Sequence, residues 1–189
     1  TTGDYAISFW IQMPIMPDTG SNIIPWQKTS AGGANADDSY LNMLGTAPGV
    51  IDTCDYSVTE TGPASISDIT DPSSYDFSDW VNVVLRKDSS GISTWFNGTQ
   101  LGSGATVASP LLSDPTSFYA LFYEPVNTPD PLLVCDVRLA DFRFYNGSIS
   151  PSDIADLAAK LDVTTNLSTR VQFKNNCDDS VGAMNGTKG

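Results

Sequence analysis

The chain has 189 residues, 40% of them hydrophobic, and a formal charge of −13 from 22 acidic and nine basic side chains. That suffices for one packed domain, and the acidity argues against nucleic-acid or anionic-membrane partners. No apolar run approaches the ~18 residues that cross a bilayer, so membrane insertion is not expected. Histidine is absent, which removes Ser-His-Asp and Cys-His catalysis and every His-ligated metal site.

In chain order, "YAISFWIQM" comes first. Ile7, Phe9, Ile11 and Met13 alternate with Ala6, Ser8, Trp10 and Gln12, the period of a half-buried strand. A chain opening inside such a pattern reads as processed or cut from a longer precursor. "PIMPDTGSN" is Pro/Gly-punctuated loop. "IIPWQK" is a second strand in which Pro25 implies an edge or a bulge. After the loop "TSAGGANADDS", "YLNMLG" and "VIDTCDYSV" read as short strands, and residues 59 to 79 as polar, turn-rich chain.

A hairpin follows. "WVNVVLRKD" sets Val81, Val83 and Leu85 against Trp80, Asn82 and Val84. "SSG" turns the chain, and "ISTWFNGTQLGSG" returns with its own Asn97-Gly98 turn. "SFYALFYE" and "LLVCDVRLADFRFYNG" add strands. "SPSDIADLAAKL" alone has helical character over about 151–161: Ser150 or Ser152 caps it, and Ile154, Leu157, Ala158 and Leu161 recur at helical spacing. A helix this short is expected as a surface decoration on a β-sandwich, and the architecture is all-β.

Of the acids only Glu60 and Glu124 are glutamate, a skew towards Asp that fits many turns. Cys54, Cys135 and Cys177 are too dispersed for a zinc motif. One disulfide with a third thiol, or three separate buried thiols, both fit. Sequons at Asn97, Asn146, Asn166 and Asn185 favour an extracellular or surface-exposed protein.

Taken in order, these pieces resemble the concanavalin A-like jelly roll in its laminin-G-like branch. That family carries an early strand of the type f-t-i-s-f-W-i, matched by "YAISFWIQM". It then carries W-v-n-v-v and g-y-x-N-G, matched by Trp80 to Val84 and "GISTWFNGTQLGSG". Its closing motif is matched by "LADFRFYNGSISPSDIADLAAKL", with Asp141, Arg143, Tyr145, Asn146, Ile154 and Leu157 in place. The resemblance implies a two-sheet jelly-roll sandwich over residues 1–161. In such a fold Trp80 is expected as a core anchor. From the residues themselves, Asn97-Gly98 reads as a hairpin turn and Arg143, between Asp141 and aromatic neighbours, as an ion-pair partner within the sheet.

The tail "FKNNCDDSVGAMNGTKG" resembles the first strand of such domains, which normally precedes f-t-i-s-f-W. Residues 162–189 are thus expected to be a connector (162 to 169) and an assembly strand that includes Val171 and Phe173. Three arrangements satisfy this: completion of its own sandwich, donation to a neighbouring copy or related subunit, or one period of a tandem array.

Members of this branch act as adhesins, matrix modules, lectins and surface fibres, so the expected function is a non-catalytic structural or adhesive building block of a surface or filament assembly. The alternative is a monomeric glycan-binding module, with Trp10, Trp26, Tyr40 and Trp95 as ligand-binding candidates. Trp10 and Trp95 lead because both fall on the polar faces of their strands. Calcium, held in such folds by Asp oxygens, makes Asp37, Asp38, Asp178 and Asp179 metal candidates. Glycosidase chemistry needs paired carboxylates, and Glu60 and Glu124 are isolated, so no enzyme is expected.

Overall fold

A computed structural model describes residues 4–15, 22–29, 39–47, 50–59, 63–70, 75–101, 118–120 and 136–172. Among them the all-β expectation holds: eleven strands, antiparallel in every pair whose register is defined, and one short helix. The chain divides into two compact units, one holding a five-stranded sheet and the other a six-stranded sheet with the helix.

The five-stranded sheet contains β2 (Asn22–Thr29), β3 (Ser39–Ala47), β4 (Val50–Thr59), β5 (Pro63–Thr70) and β9 (Phe118–Ala120), in the order β5-β4-β3-β2-β9. β2 lies between β3 and β9, so Pro25 does not mark an edge. The β2–β3 register shifts between Ile23 and Trp26 instead, a bulge where the missing proline N–H cannot serve the ladder. Residues 63–70 correct the sequence reading, which left 59 to 79 without a strand. "PASISDIT" carries little apolar signal, and among the described residues β5 takes a sheet edge, where polar strands are tolerated.

The six-stranded sheet contains β1 (Tyr5–Ile15), β6 (Val81–Asp88), β7 (Gly91–Phe96), β8 (Thr99–Leu101), β10 (Asp136–Tyr145) and β11 (Leu167–Val171), in the order β11-β10-β1-β6-β7-β8. Cross-strand pairing sorts its side chains. Ile7 faces Leu85, and Phe9, Val83 and Phe96 form a row on one face. Phe77 meets Phe96 edge-on at 5.7 Å, and Tyr5 stacks on Phe144 at 6.5 Å. Ser8, Val84 and Trp95 form the matching row on the other face.

That second face is covered by α1 (Pro151–Ala158). Ser150 Oγ accepts from the Asp153 N–H at 3.1 Å, and Asp153 Oδ2 accepts from the Ser150 N–H at 2.9 Å, a reciprocal capping box. Pro151 fits the first turn, where its missing N–H is not needed. The helix buries Ile154 and Leu157 into a cluster with Ala6, Val84, Trp95, Tyr145, Ile149 and Val163. Far from decorating the surface, α1 supplies the second layer that lets β6 be buried on both sides.

The turns obey their local chemistry. Asn97 and Gly98 have φ of 46° and 81°, the pair of left-handed residues that a two-residue hairpin requires, as the sequence indicates. Ser90 N–H donates to Asp88 Oδ1 at 2.7 Å in the β6–β7 turn. The expected connector is shorter than 162 to 169, because Leu167–Val171 is already β11, with Val171 opposite Phe142 of the same chain.

Candidate functional site

On the α1-covered face of the six-stranded sheet lies a groove of about 370 Å³, lined by Trp10, Trp80, Ala140, Asp141, Arg143, Leu157, Lys160, Asp162 and Arg170. All lie in the same compact unit. Trp10 comes from β1, Asp141 and Arg143 from β10, Arg170 from β11. Lys160 and Asp162 follow α1.

The floor is ionic. Asp141 Oδ2 accepts from Arg143 Nη2 at 2.6 Å and Nε at 3.1 Å, while its Oδ1 accepts from Arg170 Nε at 2.7 Å. Arg170 Nη1 also donates to Asp162 Oδ1 at 2.9 Å. Arg143 and Arg170 stand opposite each other in the β10–β11 register, a like-charge juxtaposition that is unfavourable without anions between them. Burial by itself would raise the Asp141 carboxyl. The hydrogen bonds and charges of Arg170 and Arg143 outweigh it and hold that carboxyl below its ordinary range. Burial likewise opposes the Arg143 charge, and Asp141 more than restores it. Burial pushes the Tyr145 phenol up despite the neighbouring Arg143 charge, and its hydroxyl donates to the Val163 carbonyl.

Two groove residues have left-handed backbones without being Gly or Asn: Asp141 at φ 51° and Lys160 at φ 63°. Lys160 occupies the position after the helix cap. Its N–H bonds to the Leu157 carbonyl, and the Leu161 N–H bonds to that of Asp156, the pair of bonds that closes a Schellman turn. A lysine here forgoes the ease of glycine, and its ammonium lies 5.3 Å from the centre of the Trp10 ring. Trp80, 37% exposed, is the open indole of the groove.

The sequence candidates divide accordingly. Trp10 is partly exposed and lines the groove. Trp95, expected on a polar face, is instead 8% exposed beneath α1, its indole N–H bonded to Ser93 Oγ at 2.9 Å: the face is polar by its neighbours but roofed by the helix. Trp80, expected as a core anchor, is the correction in the opposite sense. It precedes β6 and opens into the groove. Trp26, Tyr40 and Cys54 lie on β2, β3 and β4 of the other unit, opposite Leu41, Ser57 and Met43. Arg143 is the ion-pair partner expected of it. Lys160, Asp162 and Arg170 carry no motif, and only the register of β10 on β11 brings Arg170 opposite Arg143.

Asn97, Asn146 and Asn166 are exposed. Asn97 Oδ1 accepts from the Asn82 N–H at 2.8 Å, and Asn166 Nδ2 donates to the Ser148 carbonyl at 3.1 Å. Asp37, Asp38, Asp178, Asp179, Asn185, Cys135, Cys177, Phe173, Glu60 and Glu124 lie outside the described residues. Among the described residues no group of three potential ligands could hold a metal ion, and no helix is long and apolar enough to cross a membrane.

Residues 1–155 match the model of the laminin-G-type family described as the concanavalin A-like lectin/glucanases superfamily. The chain belongs to this family. Its fold is accordingly the concanavalin A-like jelly roll that its sequence resembles. No curated protein matches the chain in sequence. Among solved structures, the binding domain of botulinum neurotoxin DC, in complex with rat synaptotagmin II, is similar with a TM-score of 0.60 at 13% identity, over 86% of this chain and 37% of that one. A botulinum neurotoxin type C structure, from work on its interaction with two ganglioside molecules in cell entry, gives 0.56 at 16% identity over 88% and 38%. The serotype G binding domain gives 0.57 at 12% identity over 84% and 36%. The chain spans well under half of each of these, and at such identities the likeness is one of fold.

Proposed function

We propose that the chain is a non-catalytic, extracellular or surface-exposed binding module that takes a saccharide in the Trp80 groove. The observation that carries this is the pairing of an open indole with a cluster of charged hydrogen-bonding groups in one concavity, the combination that grips the apolar face and the hydroxyl rim of a sugar ring. Catalysis is disfavoured by the same geometry. A glycosidase needs a carboxylic acid kept protonated near neutral pH, and the Arg pair holds Asp141 ionised. The neurotoxin domains of like fold, one in complex with synaptotagmin II and another studied with gangliosides, are in keeping with a binding role. Glycan-array binding tests it: the chain should retain particular glycans, and Trp80→Ala should lose them. A blank array, or one unchanged by the substitution, would refute the groove.

Assembly with further copies or related jelly-roll subunits is the second reading, favoured by the position of β11 at the edge of its sheet among the described residues. Light scattering across a concentration range tests it. Growth in mass with concentration supports the building-block role, and a constant monomer mass contradicts it.

A further inference from the structure

We propose that the ligand of this groove is anionic. Its charged group would seat between Arg143 and Arg170 by displacing the Asp162 carboxylate, which serves as an internal stand-in. The inference rests on the saccharide reading and adds the class of sugar: one bearing a carboxylate or sulfate.

Charge distribution is the first argument. In a chain of net charge −13, the groove gathers three of the nine basic residues against two carboxylates, so it is locally positive. Such an inversion focuses anions into a concave site. The second argument is the difference between the two carboxylates. Asp141, 22% exposed, is bonded to both guanidinium groups from within β10 and completes the floor. Asp162, 63% exposed, reaches the same two arginines from the segment between α1 and β11, while their own side chains are only 5% and 19% exposed. An exposed carboxylate loses little on returning to water, whereas the buried guanidinium groups require an acceptor.

Third, Arg143 Nη1 is buried without a well-formed hydrogen bond, although Asp162 Oδ1 lies 3.2 Å away. An incoming planar carboxylate or a sulfate could supply that acceptor and bridge to Arg170 at once. Trp80 then offers its indole to the attached ring, and Lys160 stands at Trp10 as a third cation.

The test is calorimetric titration of the full chain with lactose, 3′-sialyllactose and 3′-sulfated lactose, which share one neutral core. The same titrations are made on Asp162→Asn and Arg170→Gln. Binding of either anionic sugar well above lactose is expected, and which one binds identifies the charged group. Asp162→Asn should tighten that binding by roughly two- to fivefold, the modest worth of an exposed carboxylate's ion pairing with the two arginines. Arg170→Gln should weaken it by about tenfold or more. The gain in Asp162→Asn is a result that misfolding cannot produce. Equal binding of all three sugars, unmoved by Asp162→Asn, would overturn the anionic inference and leave the saccharide reading intact. Binding of none by wild type or variant would overturn both. A glutamate-rich peptide that binds where the sugars fail would replace the saccharide with a protein ligand.

Discussion

Arg143 and Arg170 face each other directly across β10 and β11, two cations at one sheet position that share the carboxylates of Asp141 and Asp162. Asp141, bonded to both guanidinium groups, is the acid that makes this like-charge pair tolerable, and the more exposed Asp162 adds a second carboxylate at its rim. The pair therefore ties the last described strand of the sheet, the segment that follows α1 and the groove floor into one electrostatic unit.

That unit predicts an acid limit to stability. The Asp141 carboxyl titrates lower in the fold than its unperturbed value of 3.8, so the stability it contributes is complete above that value and is lost as pH falls through the lower folded one. Thermal melting followed from pH 7 to pH 2 should show the loss below about pH 4. Asp141→Asn should destabilise by about 2 kcal/mol or more at neutral pH and flatten the acid limb. An unchanged acid limb in the variant would remove Asp141 from the account.

The helix makes a second prediction. Leu157→Ala empties a position 3% exposed in the cluster beneath α1 and should cost about 2–5 kcal/mol by denaturant unfolding. Ser150→Ala removes only the cap and should cost about 0.5–2 kcal/mol. If Leu157→Ala cost no more than the cap, α1 would be the decoration that the sequence suggested.

Gly98 joins a turn to that helix. Its φ is +81°, and a Cβ there would meet the Ala158 Cβ at 3.3 Å and the Ala155 Cα at 3.5 Å. Gly98→Ala should therefore destabilise by about 1 kcal/mol or more, through both the left-handed backbone and the displaced helix. A neutral result in thermal unfolding would mean that the turn and α1 separate readily.

Metal dependence is testable by chelation. The groove acids are already held by arginines beside Lys160, an unfavourable place for a cation, so glycan binding in the groove is expected to persist in EDTA. Loss of binding on chelation, with recovery on adding Ca²⁺, would shift the ligand to a Ca²⁺ site of the kind proposed for Asp37–Asp38 or Asp178–Asp179.

Much of the fold was legible because it is written in local periodicity and turn chemistry. The alternation of β1, the Asn97-Gly98 hairpin and the Ser150 cap each follow from adjacent residues. β5 was not legible, since an edge strand as polar as "PASISDIT" is identified by its partner β4 and not by its own composition. The two tryptophans exchanged roles for a related reason. Alternation says which face Trp95 occupies but not that α1 roofs that face. A core role for Trp80 likewise says nothing of the opening ahead of β6. Lys160, Asp162 and Arg170 meet only through the return of the chain from α1 to β11, a tertiary fact without a sequence signature.

The most direct test of the groove is the set of indole N–H signals in an ¹⁵N-edited spectrum during titration with the glycan that the array selects. Saccharide binding in the groove predicts that the Trp80 signal shifts in proportion to occupancy while that of Trp95, roofed by α1, stays in place. Saturable binding that leaves the Trp80 signal unmoved would place the ligand elsewhere and contradict the account.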